Sequence, residues 1–456
     1  MKLTKKSLHL RRAGAALIIS MMFVLIFSSL GLALFAMSGS NVQIASNQQK
    51  VSRAFASAES GMHVMRYWLN RVLIPASTPT ADYFSTIVSQ VQTDLAANTI
   101  SNITLNNDGS ITPVMLNSAT GQTFEGKIQI SSADPCVLEA FATGSYGGIT
   151  RTIRVNYNIE PYEHPIFDYG MATKGPVSFP GNPTITGVNF NQEADIYIDN
   201  SQAAALALSI GGNTNFDGDV YLGAGDSYFD GSVQIAGDYD QTAIDNHVHL
   251  DAPPVEFPTP DTARFQQYAT GQVIDASTDT SDNMTLTNAL IQAGANPVFE
   301  GNIRIDGLLF VEAPNTIVIN GNVAIQGMIV GDGDPNNPTS SMTFYGNFES
   351  GPLPNDSQFD DLRSEDGSCM LVPGFAVELD GNFSSLEGVM AVSGFHLSGN
   401  ASALVKGTIL NFSDSPTVVE GNATLNFDRS GATKIPAGFD TLRELSYDCE
   451  SYAMIH

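Results

Sequence analysis

Between Gly181 and Asn422 the dipeptide Gly-Asn recurs at Gly181, Gly212, Gly301, Gly321, Gly346, Gly381, Gly399 and Gly421. Several stretches run from glycine to glycine over six positions: GNPTITG from Gly181, GNTNFDG from Gly212, GSVQIAG from Gly231, GNIRIDG from Gly301 and GNVAIQG from Gly321. Within them apolar residues alternate, as at Ile303 and Ile305 or Val323 and Ile325. Several neighbouring units start 18 to 22 residues apart: Gly212 to Gly231, Gly301 to Gly321, Gly381 to Gly399 and Gly399 to Gly421. Short strands between Gly-Asn corners at such a period fit one coil of a parallel β-solenoid, with Gly or Asn taking the left-handed corner cheaply. An antiparallel sandwich with many glycine turns is the other solution. The period favours the solenoid, placed over residues 161–433. Residues 250–284, with LDAPPVEFPTPDTARFQQYATG, break the repeat. They read as an insertion crossing the solenoid surface. Residues 434–456 also lack the repeat and read as a cap, because an open solenoid end invites edge pairing.

The N-terminus imposes a second constraint. Ala15 to Met37 carries no charged side chain. Its 23 residues span about 35 Å as a helix, enough for the hydrocarbon core of a bilayer. Lys2, Lys5, Lys6, Arg11 and Arg12 precede it, which predicts a cytoplasmic N-terminus and a body across the membrane. A secretory signal has a shorter apolar core and a small-residue cleavage site, and Leu34-Phe35-Ala36 is a poor one. Beyond the apolar run, Val51, Phe55, Ala58, Met62, Met65, Leu69 and Val72 alternate spacings of four and three. That is one apolar stripe on a continuing helix. A plain anchor with a coiled-coil stalk also fits this periodicity. Tyr83 to Ala97 predicts a second, shorter helix. From residue 100 to 157 the period falls to two, and Gly147-Gly148 predicts a hairpin turn. The expected class is α+β: a transmembrane and amphipathic helix over 15–74, a small α/β module over 75–160 with an antiparallel sheet, then the solenoid.

A basic leader ending in Gly14, followed by Ala15-Ala16-Leu17-Ile18-Ile19 and a long apolar helix, resembles the class III signal of type IV pilin-like proteins. RAFASAESGM, Arg53 to Met62, is similar to the A-F-x-A-A-E-x-G segment of PilX-type minor pilins. The resemblance covers Arg11 to Trp68. It implies a leader over 1–14, cleavage after Gly14 by a prepilin peptidase, and methylation of Ala15. It also implies a helix that anchors in the bacterial inner membrane and later packs among other pilin-like subunits, in a pilus or a pseudopilus. Ala15, Leu17, Ile19, Phe23, Leu30, Phe35, Phe55 and Glu59 are its expected membrane and filament residues. Glu59 reads as a solvated or helix-paired acid, with a packing role in the filament as the alternative. Major pilins usually carry Glu at the fifth position after cleavage, where this chain has Ile19. Such a carboxylate can neutralise a neighbour's terminal amine in a dry core. Its replacement by Ile favours a minor, initiating or tip subunit.

The formal charge is −27. Without the leader, 15 basic residues face 47 acidic ones. Such a body repels nucleic acid and anionic membrane. No nucleophile or nucleotide motif has its context: Gly121 to Lys127 has P-loop spacing, but Ile128 replaces the Ser/Thr. In DNHVHLD, His247 and His249 fall on one strand face with Asp245 and Asp251 in line, a candidate metal set. Asp332, Asp334 and Asn336 alternate like the start of a calcium loop, without the distal Glu. Calcium is therefore the one cofactor the sequence suggests. Cys136, Cys369 and Cys449 allow one disulfide at most, and the last two are candidates to pair. The resulting expectation is a non-enzymatic minor pilin-like subunit. It would display an acidic surface in the periplasm, on a pilus or at the cell surface, for adhesion, with glycans among its partners, or for spacing. A membrane-anchored β-helix protein that binds or cleaves polysaccharide is the alternative.

Overall fold

The computed structural model describes residues 10–200, 206–399 and 402–455. The leader lysines Lys2, Lys5 and Lys6 lie outside the described residues. The chain divides into two units, Met1–Pro161 with Leu442–His456, and Tyr162–Thr441.

The first unit begins with α1, Leu10–Leu69, a single helix of 60 residues without a proline. A short β1, Leu73–Pro75, and the helix α2, Tyr83–Ala97, follow. Then come β2 (Ser110–Asn117), β3 (Gln122–Ile130), β4 (Val137–Tyr146) and β5 (Ile149–Pro161). The sheet is completed by β6, Leu442–Ile455, and its order is β1-β6-β5-β4-β3-β2. All its pairings are antiparallel. Gly147 and Gly148 join β4 to β5 at φ +56° and +82°, the positive pair that a two-residue hairpin turn of matching twist requires. The residues after Lys434 are therefore not a solenoid cap. Leu442–Ile455 pairs with β5 instead, with Arg443 opposite Pro161. The whole second unit is an insertion between two neighbouring strands of the first.

The second unit is a three-faced parallel β-solenoid. On its first face Ile409–Asn411, Met171–Thr173, Ile196–Ile198 and Val220–Leu222 stack in that order. The second face holds strands such as Ser340–Phe344, Phe375–Leu379 and Phe395–Leu397. All five glycine-to-glycine units of the sequence lie on the third face. Ile303 stacks on Val323, and Val323 on Phe348. The inner residues of the three faces form one continuous core.

The coils do not stack in sequence order. The chain enters mid-stack, where Met171–Thr173 and Thr184–Gly187 rest on Ile409–Asn411 and Thr424–Phe427. It winds to one end through Leu206–Phe216 and Asp226–Ile235. Residues 250–272 then carry it across the first face, and from Met284 it winds back to its own starting coil. Along the crossing, the Val255 amide donates to the Tyr197 hydroxyl at 3.0 Å. Phe257 meets the Phe412 ring, and Phe265 is buried beside Leu308 and Phe310. The crossing covers outward side chains, so first-face strands such as Ser368–Val372 and Val389–Val392 are buried at every position. Sheets covered on both sides read as unbroken apolar runs, whereas faces open to water alternate, as Phe375–Leu379 does.

Neither end of the solenoid is covered by the C-terminal tail. At the end formed by Met284–Ile291, Gln272 donates to the Thr285 carbonyl and accepts from the Thr287 amide. At the opposite end, the hairpin strand Asp238–Tyr239 and the helix α3, Asp240–His247, follow the last long strand.

At several third-face corners glycine does not supply the expected left-handed turn. Gly212, Gly231, Gly399 and Gly421 have positive φ. Gly301, Gly321, Gly346 and Gly381 do not, and at these the glycine answers a close approach. A Cβ on Gly321 would stand 2.1 Å from the Gly301 carbonyl oxygen, and one on Gly381 2.0 Å from that of Gly346. The asparagines form a ladder alongside. The Asn283 side-chain oxygen accepts from the Asn302 amide at 2.7 Å, Asn302 accepts from Asn322 at 2.9 Å, and Asn322 from Asn347 at 2.9 Å.

Candidate functional site

The expected assembly residues lie on α1. Gly14 and Ala15 are within its backbone. From Ala16 to Gln49 every residue is exposed, including Leu17, Ile19, Phe23, Leu30 and Phe35. This segment is long and apolar enough to cross a membrane. Exposed apolar surface on that scale marks a membrane or protein interaction site.

From Val51 the same helix changes role and packs on its own sheet, so the amphipathic stripe is not a coiled-coil stalk. Ala54, Ala58, Met62, Met65, Trp68, Leu69 and Val72 are buried, and Phe55 packs at the margin of that core. The RAFASAESGM segment acts by size. Ala54, Ser57, Ala58 and Gly61 form one small-residue seam, following the three-and-four spacing of a helix face. A Cβ on Gly144 of β4 would lie 2.1 Å from the Ala54 carbonyl oxygen, and one on Gly61 2.5 Å from the Phe124 ring. At the rim of the seam Arg53 donates to the Tyr146 hydroxyl at 2.8 Å. Arg66 sits over the Tyr447 ring at 4.3 Å, a stabilising cation–π geometry. Glu59 faces outward and is exposed. Its charge, after burial, helps to raise the Tyr452 hydroxyl above its ordinary pKa.

The candidate ligands on the solenoid have other partners. The Asp334 carboxylate accepts from the Asn336 amide at 2.9 Å, and Asp332 accepts from the Ala313 amide at 2.6 Å. These are contacts that shape and dock a loop. His247 and His249 do not meet Asp245 and Asp251 on a strand face. His247 ends α3, and Asp245 accepts from Gln241. Both imidazoles instead reach Asp219, His247 through Nδ1 and His249 through Nε2, each at 2.8 Å. Asp219 lies 28 residues earlier, on the preceding coil, where spacing within DNHVHLD gives no hint of it. Among the described residues no three His, Cys, Asp or Glu side chains are placed to hold a metal ion.

The cysteines are all free. Cys369 is buried in the solenoid core, whereas Cys449 is exposed on β6, so the expected pairing of these two does not occur. Burial pushes the Cys369 thiol up to about 12.

A shallow groove on the third face runs beside the asparagine ladder, lined by Asn302, Arg304, Asn322, Asn347, Glu349 and Ser384 among others. Arg304 is its one basic side chain, and it is engaged by Asp306 at 2.8 Å and by Gln326.

Residues 13–63 match the family model described as PilX N-terminal, so the chain carries a PilX-type pilin N-terminal region. No curated protein matches the chain. Among solved structures, the competence-associated pilin ComZ from Thermus thermophilus is similar at 11% identity. That match covers 89% of this chain and 98% of ComZ, with a TM-score of 0.25. An ice-binding protein from the Antarctic ascomycete Antarctomyces psychrotrophicus is similar at 13% identity. It covers 59% of this chain and 96% of the other, with a TM-score of 0.16.

Proposed function

We propose that the chain is a minor, non-enzymatic subunit of a type IV pilin-like filament. Its N-terminal helix would hold it in the inner membrane and then enter the filament, and its solenoid would be displayed outward. The division of α1 carries this reading: the helix is exposed from Ala16 to Gln49, with an uncharged apolar run through Met37, and is seated by small residues on its own sheet beyond Val51. A helix built that way offers its apolar half to a bilayer or to other helices without unfolding the domain behind it. In this reading a prepilin peptidase cuts after Gly14, and Ala15 becomes the methylated N-terminus. Ile19 offers no carboxylate to a neighbouring subunit's amine, which suits a tip or initiating position. The acidic solenoid serves adhesion or spacing, and the polar third-face groove suits a neutral surface glycan better than an anionic one. With Arg304 already paired, the groove favours binding over cleavage.

The test is mass spectrometry of the protein from a host with prepilin peptidase, together with its recovery in the sheared-filament fraction. The expected N-terminus is Ala15, with a mass increment of one methyl group. An intact Met1 in that host would overturn the processing. Processed protein absent from every sheared fraction would overturn the filament role.

A further inference from the structure

One end of the solenoid is only partly closed. The strand Asp226–Ile235 is the last of its stack and pairs along its length with Leu206–Phe216. On its outer side only Gln234 and Ile235 find a partner, in the hairpin with Asp238–Tyr239. Among the described residues, no backbone or side-chain group is hydrogen-bonded to the outer edge of residues 226–233. The other end differs, because there the Gln272 side chain occupies the edge of Thr285 and Thr287. The register sets Tyr228 beside Ser209 and Phe229 beside Ile210. Tyr228 therefore faces solvent with Asp226 and Asp230, while Phe229 points to the core and remains partly exposed.

We propose that this edge receives an extended basic segment of a partner protein, which adds a strand to the second face of the solenoid. A row of free backbone donors and acceptors supplies affinity for any strand, and the side chains beside it select which one. The side chains here are two carboxylates flanking an exposed tyrosine, on a chain of formal charge −27. The complementary segment carries Lys or Arg at alternate positions, beside Asp226 and Asp230, with an apolar residue between them to cover Phe229. A second copy of this chain is disfavoured as the occupant. Antiparallel pairing of two such edges would set Asp226 of one copy against Asp230 of the other, and like charges directly opposite are destabilising. Head-to-tail stacking would meet the second-face edge at Val298–Phe299, which Thr280 already occupies: its hydroxyl donates to the Val298 carbonyl and its own carbonyl accepts from the Glu300 amide. The inference does not rest on the filament reading.

The experiment uses the full chain in detergent micelles with two ten-residue peptides, one alternating Lys with Val and one alternating Glu with Val. Backbone hydrogen exchange is followed by mass spectrometry. The Lys peptide is expected to slow exchange at least tenfold over residues 226–232, leave the Gln272 end unchanged, and bind at least tenfold more tightly than the Glu peptide. The double variant Asp226→Lys, Asp230→Lys is expected to reverse that preference. Binding of the Lys peptide without protection of residues 226–232 would show attraction to the acidic body alone and overturn the proposal. Protection in the absence of peptide that grows with protein concentration would assign the edge to a second copy, and would overturn it as well.

Discussion

The third-face glycines separate two reasons for glycine that sequence alone merges. Gly321 has no positive φ, so a side chain there meets no backbone strain. It meets the neighbouring coil: a Cβ would stand 2.1 Å from the Gly301 carbonyl oxygen and 2.4 Å from its carbon. Relieving that contact needs a shift of about 1 Å out of a strand spacing of about 4.8 Å. The shift strains the Asn322-to-Asn302 hydrogen bond at 2.9 Å and the stacking of Val323 on Ile303. Overpacking of this kind costs about 1–3 kcal/mol and each disturbed hydrogen bond about 1 kcal/mol more. Gly321→Ala should therefore destabilise the solenoid by about 3 kcal/mol. Gly351 is the control, on the same face, with no positive φ and its nearest neighbouring atom, the Ile325 carbonyl oxygen, 4.0 Å away. Gly351→Ala should fall within about 0.5 kcal/mol of the parent. Gly294 isolates the other reason, with φ +74° and nothing within 4 Å, so Gly294→Ala should cost about 1–2 kcal/mol through strain alone. The assay is thermal unfolding of the full chain in detergent, followed by circular dichroism in the β region. At about 2–4 °C per kcal/mol, Gly321→Ala should melt roughly 6–12 °C below Gly351→Ala. If the two melt together, close approach is not what the corner glycines provide.

Burial pushes Asp195 up to about 6, against the hydrogen bond it accepts from the Asp219 amide at 2.8 Å. The folded chain then holds a proton on Asp195 that the unfolded chain has lost, between about pH 4 and 6, so this group adds stability as pH falls through that window. Asp195→Asn keeps the acceptor oxygen, so it should melt above the parent at pH 7 and with it near pH 4. On the native protein, maleimide should modify the exposed Cys449 and leave Cys369 untouched until the solenoid unfolds; prompt labelling of Cys369 would contradict its burial. Arg429 bonds the carbonyls of Phe167 and Asp168, joining the first-entered coil to the last. Arg429→Met should cost about 2–3 kcal/mol in chemical unfolding, because those carbonyls lose a charged donor. Gly144→Val should lift α1 from its sheet and open the Ala54–Met65 segment to hydrogen exchange, without slowing or speeding exchange in the solenoid core.

Local periodicity was enough to read the elements from the sequence. Tyr83–Ala97, the Gly147-Gly148 turn and the stripe from Phe55 to Val72 follow from spacing within one element, and spacing is local information. The solenoid followed for the same reason, since each glycine-to-glycine unit is one third-face strand with a corner at each end. The coil order was not legible, because nothing in Thr184–Gly187 marks it as the neighbour of Thr424–Phe427 rather than of another hexad. The tail's place is not legible either, because Leu442–Ile455 has no repeat of its own and its partner, β5, lies some 280 residues earlier. A carboxylate one coil away is adjacent in space and invisible in spacing, and Asp219 is such a residue for both His247 and His249.

The pairing of the C-terminal strand with β5 explains how one chain builds both units. β5 and β6 are neighbours in the sheet, and Pro161 lies opposite Arg443, so the solenoid leaves and rejoins the first unit at one point. An insertion there asks only that its own two ends lie close together. A solenoid wound in sequence order from one end to the other would hold its termini a full stack apart and could not meet that demand. The permuted winding does meet it, because the chain enters at Met171–Thr173 and finishes at Thr424–Phe427 in contiguous coils at mid-stack. The strap of residues 250–272 follows from the same demand, since a chain that starts mid-stack must travel once along the stack to finish where it began. The first-face apolar runs then exist to bury that strap. The unbroken VMAV of Val389–Val392, on this account, is a consequence of where the solenoid was inserted.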